Sequence, residues 1–241
     1  MVNGSVMSRK DMREPDRFQV VANQAAAWVA ARKKQVALIG GAVVVVVLVV
    51  AVVATIQASR AEAVGTATSA LLETVASPVL AKAPEGATYK TFPTDEAKQK
   101  AIVAEADRVV AEHGGSGAAL ALLVKADALY ALKDWDGAAA GYEAFLRTAS
   151  KDDSLRFGAL DGLGLVAEAK GDLAGAAAAY ERLAKEVPGF ADHADLERAR
   201  VLAAAGKKDE ARQLLAKFGE AHKDSTLAGL AAQRLADLGA K

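Results

Sequence analysis

The sequence predicts an all-α protein: a single transmembrane helix near the N-terminus, followed by a solenoid of helical hairpins. Three observations carry this prediction. Val36 to Ile56 (VALIGGAVVVVVLVVAVVATI) is an unbroken run without charge. Alanine is abundant while aromatic residues make up 5% and prolines number five; closely packed helices suit that composition better than a sheet. Beyond Gly117 the chain repeats itself at nearly fixed spacing.

The N-terminal elements come first. Residues 1–34 form a tail whose first fifteen residues have the composition of a disordered segment, with Met7 as an alternative start. From Asp16 onward Phe18, Val21, Ala25 and Trp28 recur at helical spacing and lead into Arg32-Lys33-Lys34. Residues 16–31 therefore read either as an amphipathic helix on the membrane surface or as an extension of the spanning helix. The span itself, placed at 35–57, reaches about 30 Å as a helix, the thickness of the hydrocarbon core, so residues 36–56 would contact lipid. A lone span in lipid must satisfy its backbone internally, which helix alone does. Ala37 and Gly41 give it a weak small-xxx-small pair.

Flanking charge orients the span. The tail carries seven basic and three acidic residues, whereas after the span Arg60 is alone until Lys82. The positive-inside rule then keeps the N-terminus in the cytoplasm and exports the chain beyond Ile56. A cleaved signal peptide is the competing reading, with Ala61-Glu62-Ala63 as its cleavage site. The run is longer than a signal's apolar core and begins 35 residues into the chain, which favours an uncleaved anchor.

The 241-residue chain has a formal net charge of zero. With the tail at +4, the remainder is −4, and a mildly acidic exported part gives no support to nucleic-acid binding. Absence of cysteine excludes disulfides, thiolate metal sites and cysteine nucleophiles. The exported part must hold together by packing alone.

Residues 58–116 read as a helical linker and a degenerate first helix pair. Ala61 to about Ala81 are helical in pattern, with Leu71, Leu72, Val75, Val79 and Leu80 as the apolar set. Residues 82–93 are a loop by their proline and glycine. Thr94 then caps a helix with Asp95 and Glu96 in its first turn, ending near His113. Gly114-Gly115-Ser116-Gly117 interrupts the chain.

Residues 117–241 hold the repeat. Ala126, Leu129, Ala138 and Tyr142 recur as Gly164, Ala167, Ala176 and Tyr180, displaced by 38; they return as Ala199, Leu202, Ala211 and Leu215, displaced by a further 35. The turns Lys133-Asp134-Trp135, Gly171-Asp172-Leu173 and Gly206-Lys207-Lys208 align. A small residue at one fixed place lets two antiparallel helices approach, and the alanine twelve residues later faces it. Three such units are a helical solenoid, with Leu227 to Leu238 as its C-terminal capping helix.

This pattern resembles the tetratricopeptide repeat. The middle unit matches best: Leu160, Leu163, Gly164, Ala167, then Gly171-Asp172, Ala176, Tyr180 and Pro188. The first unit departs at Lys125 and Ser150, the third at Lys223. A basic tail, one span and an exported repeat domain together resemble the YfgM-type ancillary subunits of the bacterial SecYEG translocon. That resemblance implies a bacterial inner-membrane protein with a periplasmic domain, whose partners are translocon subunits, emerging proteins or periplasmic chaperones. Related exported repeat proteins imply an alternative, a structural or coordinating part of a cell-envelope or cell-division assembly.

No constellation supports catalysis, and neither cofactor nor metal is expected. His113, His193 and His222 lack partners at metal-type spacing and read as surface residues. Gly158, Gly162 and Gly164 lie inside a predicted helix without a preceding strand, so they suit helix packing rather than phosphate binding. Asp153 and Ser154 read as caps. The remaining candidate is the concave groove lined by the first helix of each unit: Leu123, Asp127 and Tyr130; Asp161, Leu165 and Glu168; Leu196 and Arg200. This mixture suits an extended or helical peptide of some basic character, or a merely solvated surface. It lacks the Lys and Asn that grip a terminal carboxylate.

Overall fold

The computed structural model describes residues 32–239. The tail's proposed disorder, its amphipathic helix and Trp28 lie outside the described residues, as do the side-chain surroundings of Ala37 and Gly41. The chain divides between Ser59 and Arg60 into two units.

Helix α1 runs from Lys33 to Ala76. In it the apolar side chains from Val47 to Ile56 are 47–61% exposed, so they form no protein core. Among the described residues this is one helix long and apolar enough, by length and composition, to cross a membrane. The helix runs on without interruption past residue 57, where the span is expected to end, and Gln57 to Ala70 contains no proline. The helix also stops at Ala76, earlier than the expected Ala81. Pro78 accounts for that, since proline disfavours helical geometry in the residue before it. Val79 instead forms an isolated parallel bridge with Phe92, and Leu80 donates its N–H to the Phe92 carbonyl at 2.8 Å.

Within the second unit, α2 (Asp95–His113) is capped by Thr94, whose hydroxyl accepts from Ala97 N at 3.1 Å. Ile102, Ala106 and Val109 share a buried cluster with Ala67 and Leu71. Three hairpins come next: α3 (Ala119–Ala131) with α4 (Trp135–Thr148), α5 (Arg156–Ala169) with α6 (Leu173–Glu186), and α7 (Ala191–Ala204) with α8 (Lys208–Ala221). Helix α9 (Ala228–Gly239) covers the last of them. The second helix of each hairpin has a clear apolar stripe, such as Ala138, Gly141, Tyr142 and Phe145 on α4. Cores therefore form between neighbours, each repeat burying the next.

The repeated small residues act as expected of close packing. Ala126, Gly164 and Ala199 are buried, as are Ala138, Ala176 and Ala211. A Cβ on Gly141 would approach Ala126 Cβ to 2.9 Å. The turns share one geometry as well: Lys133, Gly171 and Gly206 have φ of 64°, 77° and 80°. Asp134 and Asp172 cap α4 and α6 by accepting from the N–H three residues on, whereas Lys207 gives α8 no such bond.

Two smaller expectations change. Lys125, which departs from the apolar pattern, joins α3 to α2 through Asp107 at 2.5 Å. Ser154 does not cap α5; Asp153 accepts from Leu155 N at 2.9 Å in the preceding turn, and Leu155 is the N-cap without a side-chain bond.

Candidate functional site: the inner face of the repeat helices

The face expected from the repeat register to be the inner one falls on α3, α5 and α7. Along α5 the residues Phe157, Asp161, Leu165 and Glu168 succeed one another at helical spacing and share one side. Leu165 is 38% exposed, whereas Ala159, Leu160 and Val166 of the same helix are buried. The Asp161 carboxylate stands 2.9 Å from His193 Nε2 on α7. Glu168 holds Arg200 in a two-pronged pair, both contacts 2.7 Å, and its Oε1 also accepts from the Tyr180 hydroxyl at 2.9 Å. The Arg200 hydrogen bonds hold the Glu168 carboxyl below its ordinary value, against the opposing effect of burial.

On α3, Asp127 accepts from the Tyr142 hydroxyl at 2.7 Å. Although Asp127 is exposed, protein on its inner side displaces water and raises its carboxyl above the ordinary value; the Tyr142 bond opposes that rise. Burial, then the Asp127 bond, pushes the Tyr142 phenol far up, so the hydroxyl remains a donor. Tyr130 is partly buried and meets Trp135 edge-on, with ring centroids 5.1 Å apart.

Two of the eight groove candidates lie elsewhere. Leu123 and Leu196 are 7% and 3% exposed and belong to core clusters rather than to an open surface. Leu196 is covered because the terminal helix packs over it, with Arg234 donating to its carbonyl at 2.9 Å. Arg200 is on the face but is shared between Glu168 and Glu197, the latter at 2.6 Å. Asp127, Tyr130, Asp161, Leu165, Glu168 and Arg200 are the candidates that remain accessible in whole or part.

Sequence reasoning missed several contributors. Phe190, in the short turn before α7, stacks on Phe157 at 4.1 Å and stays 41% exposed. His193 meets Phe157 edge-on at 5.5 Å. His222 is not simply on the surface: only 15% of its side chain is accessible, and it pairs with Asp195 at 2.9 Å. The available signal was the aspartate spacing, since Asp161 and Asp195 precede these histidines by 32 and 27 residues, somewhat less than one repeat. Among the described residues no group of three metal-ligating side chains converges.

A stack of antiparallel helix pairs, sealed by small residues, defines a helical-hairpin repeat protein. The tetratricopeptide repeat model matches residues 159–189 and 193–225, which are α5–α6 and α7–α8. These two hairpins are thus similar to tetratricopeptide repeats, and α3–α4 repeats their turn and packing geometry. No curated protein matches the chain. Tetratricopeptide repeats generally bind protein partners, through inner faces of this kind.

Proposed function

We propose that this protein is a membrane-anchored scaffold for protein–protein interaction, with its repeat domain on the periplasmic side of a bacterial inner membrane. The single observation that carries the scaffold reading is the partly exposed Leu165, set between Asp161 and Glu168 on the inner face of α5. An apolar side chain held open among hydrogen-bonded carboxylates suits a protein segment laid across the helices. The tail charge and the exposed apolar half of α1 support the membrane and orientation parts.

In this reading the partners are proteins passing through or attached to the SecYEG translocon, or periplasmic chaperones. A photocrosslinking residue placed at Tyr130 or Leu165 in living cells tests it. Recovery of translocon subunits or translocating chains supports the translocon role. Recovery of division proteins alone overturns that role in favour of an envelope or division assembly. For topology, a reporter that works only in the periplasm, fused after Lys241, should be active; a silent reporter would reverse the orientation.

A further inference from the structure

The charges of the inner face are unequal in their availability. Glu168 is consumed by Arg200 and Tyr180, and Glu197 by Arg200 and Arg234. Asp161 and Asp195 face His193 and His222. Among the described residues Asp127 has the Tyr142 hydroxyl as its hydrogen-bond partner and no ion pair. It is exposed, and Tyr142, itself 3% exposed, is locked against Gly162 and cannot swing to offer anything else.

The register of the repeat places Asp127 and Leu165 at the same position of successive inner helices, since Ala126 and Gly164 align. Neighbouring packed helices lie about 8–10 Å apart. An extended chain covers that distance in about three residues. A segment crossing from α3 to α5 therefore meets an open carboxylate first and an open leucine about three residues later. Beyond that, Arg200 is already neutralised and offers neither free charge nor apolar surface.

We propose, resting on the scaffold reading, that the groove selects protein segments in which a lysine or arginine stands about three positions from an apolar residue. The cation pairs with Asp127 and the apolar side chain covers Leu165. Charge complementarity decides the first contact, because an acidic segment would set like charge against a carboxylate that, among the described residues, has no Lys, Arg or His partner. Burial of apolar area decides the second.

The test uses the full chain in detergent and two synthetic alanine–leucine peptides, one with a central lysine and one with glutamate in its place, monitored by fluorescence anisotropy. The lysine peptide should bind the tighter of the two. Asp127→Asn keeps an acceptor for Tyr142, so the fold should hold; it should weaken the lysine peptide about fivefold and leave the glutamate peptide unchanged. Leu165→Ser should weaken both, and Glu168→Gln should leave the discrimination intact. Moving the leucine next to the lysine should lose the Leu165 dependence. If both peptides bind through Leu165 regardless of Asp127, the charge assignment falls while the groove reading stands. If the lysine peptide does not bind at all, the assignment falls too, and crosslinking at Leu165 then decides the groove reading separately.

Discussion

The α carbon of Gly164 lies against the ring of Tyr180, so close that a methyl group there would fall 2.6 Å from Cζ and 2.7 Å from Cε1. The same relationship joins Gly162 to Tyr142, at 2.4 Å. Each tyrosine is almost fully buried and its hydroxyl is tied to a carboxylate, Tyr180 to Glu168 and Tyr142 to Asp127. The rings therefore cannot move aside. These two glycines set how closely α5 approaches the second helix of its own hairpin and of the one before, and they hold the hydroxyls at the inner face.

Gly164→Ala should consequently destabilise the repeat domain. Overpacking a core costs about 1–3 kcal/mol and alanine's better helix propensity returns about 1 kcal/mol, leaving a net loss of up to about 2 kcal/mol. Gly158 is the control, since a Cβ there meets nothing within 4 Å. Gly158→Ala should stabilise by about 0.5–1 kcal/mol. Urea unfolding monitored by circular dichroism checks both. Equal effects of the two substitutions would dismiss the ring contact as a constraint.

How far the sequence foretold this geometry differs from element to element. Gly164 and Tyr180 were legible as repeat positions because displacement by 38 brings each onto its counterpart. Thr94 and its acidic first turn marked the start of α2 for the same local reason: capping chemistry is written within four residues. The continuity of α1 through Ser59 was not legible, since a change from apolar to mixed composition looks like a boundary whether or not the backbone breaks. Leu196 was placed on the groove by register alone. Its burial depends on α9, whose packing over the last repeat is a non-local fact. The carboxylate contacts of His193 and His222 were hidden likewise, because the partners lie 32 and 27 residues away and helical spacing within one element cannot reveal them.

Lys133 offers a sharper test of the shared turn. It adopts φ of 64° where the other two hairpins use glycine at 77° and 80°. A left-handed conformation costs a residue with a Cβ about 1–2 kcal/mol, while glycine's greater freedom in the unfolded chain offsets part of the gain. Lys133→Gly should stabilise by about 0.5–1 kcal/mol, and Gly171→Ala should destabilise by about 1 kcal/mol. A midpoint shift in the opposite direction in urea would contradict the assigned backbone.

The uncapped start of α8 is open to improvement by one substitution. Lys207 occupies a backbone conformation close to that of the capping Asp134, with φ of −84° against −82°. Glu210 stands three residues later, so Lys207→Ser completes a capping box. The expected gain is about 0.5–1 kcal/mol, less the weak exposed pair of Lys207 with Glu210 at 3.2 Å. Differential scanning calorimetry should show a raised Tm; an unchanged or lower Tm would mean that the α8 N–H groups are already satisfied.

Glu168 and Asp127 make opposite contributions as pH changes. The folded-state pKa of Glu168 lies below its ordinary value of 4.5. Its pair with Arg200 thus contributes stability that is present above about 4.5 and lost as pH falls through the lower folded value. Asp127 has a raised folded-state pKa, so its ionised form costs stability at neutral pH, and that cost disappears on acidification. Glu168→Gln should therefore destabilise at pH 7 by about 1–2 kcal/mol and approach the parent protein's stability as both are acidified below pH 4. Asp127→Asn should do the reverse, matching or slightly exceeding the parent at pH 7 and losing that advantage in acid. Urea midpoints measured at pH 7, 5 and 3.5 distinguish these outcomes. A gap for Glu168→Gln that persists undiminished at the lowest pH would show that the inner-face ion pair is not what joins α5 to α7.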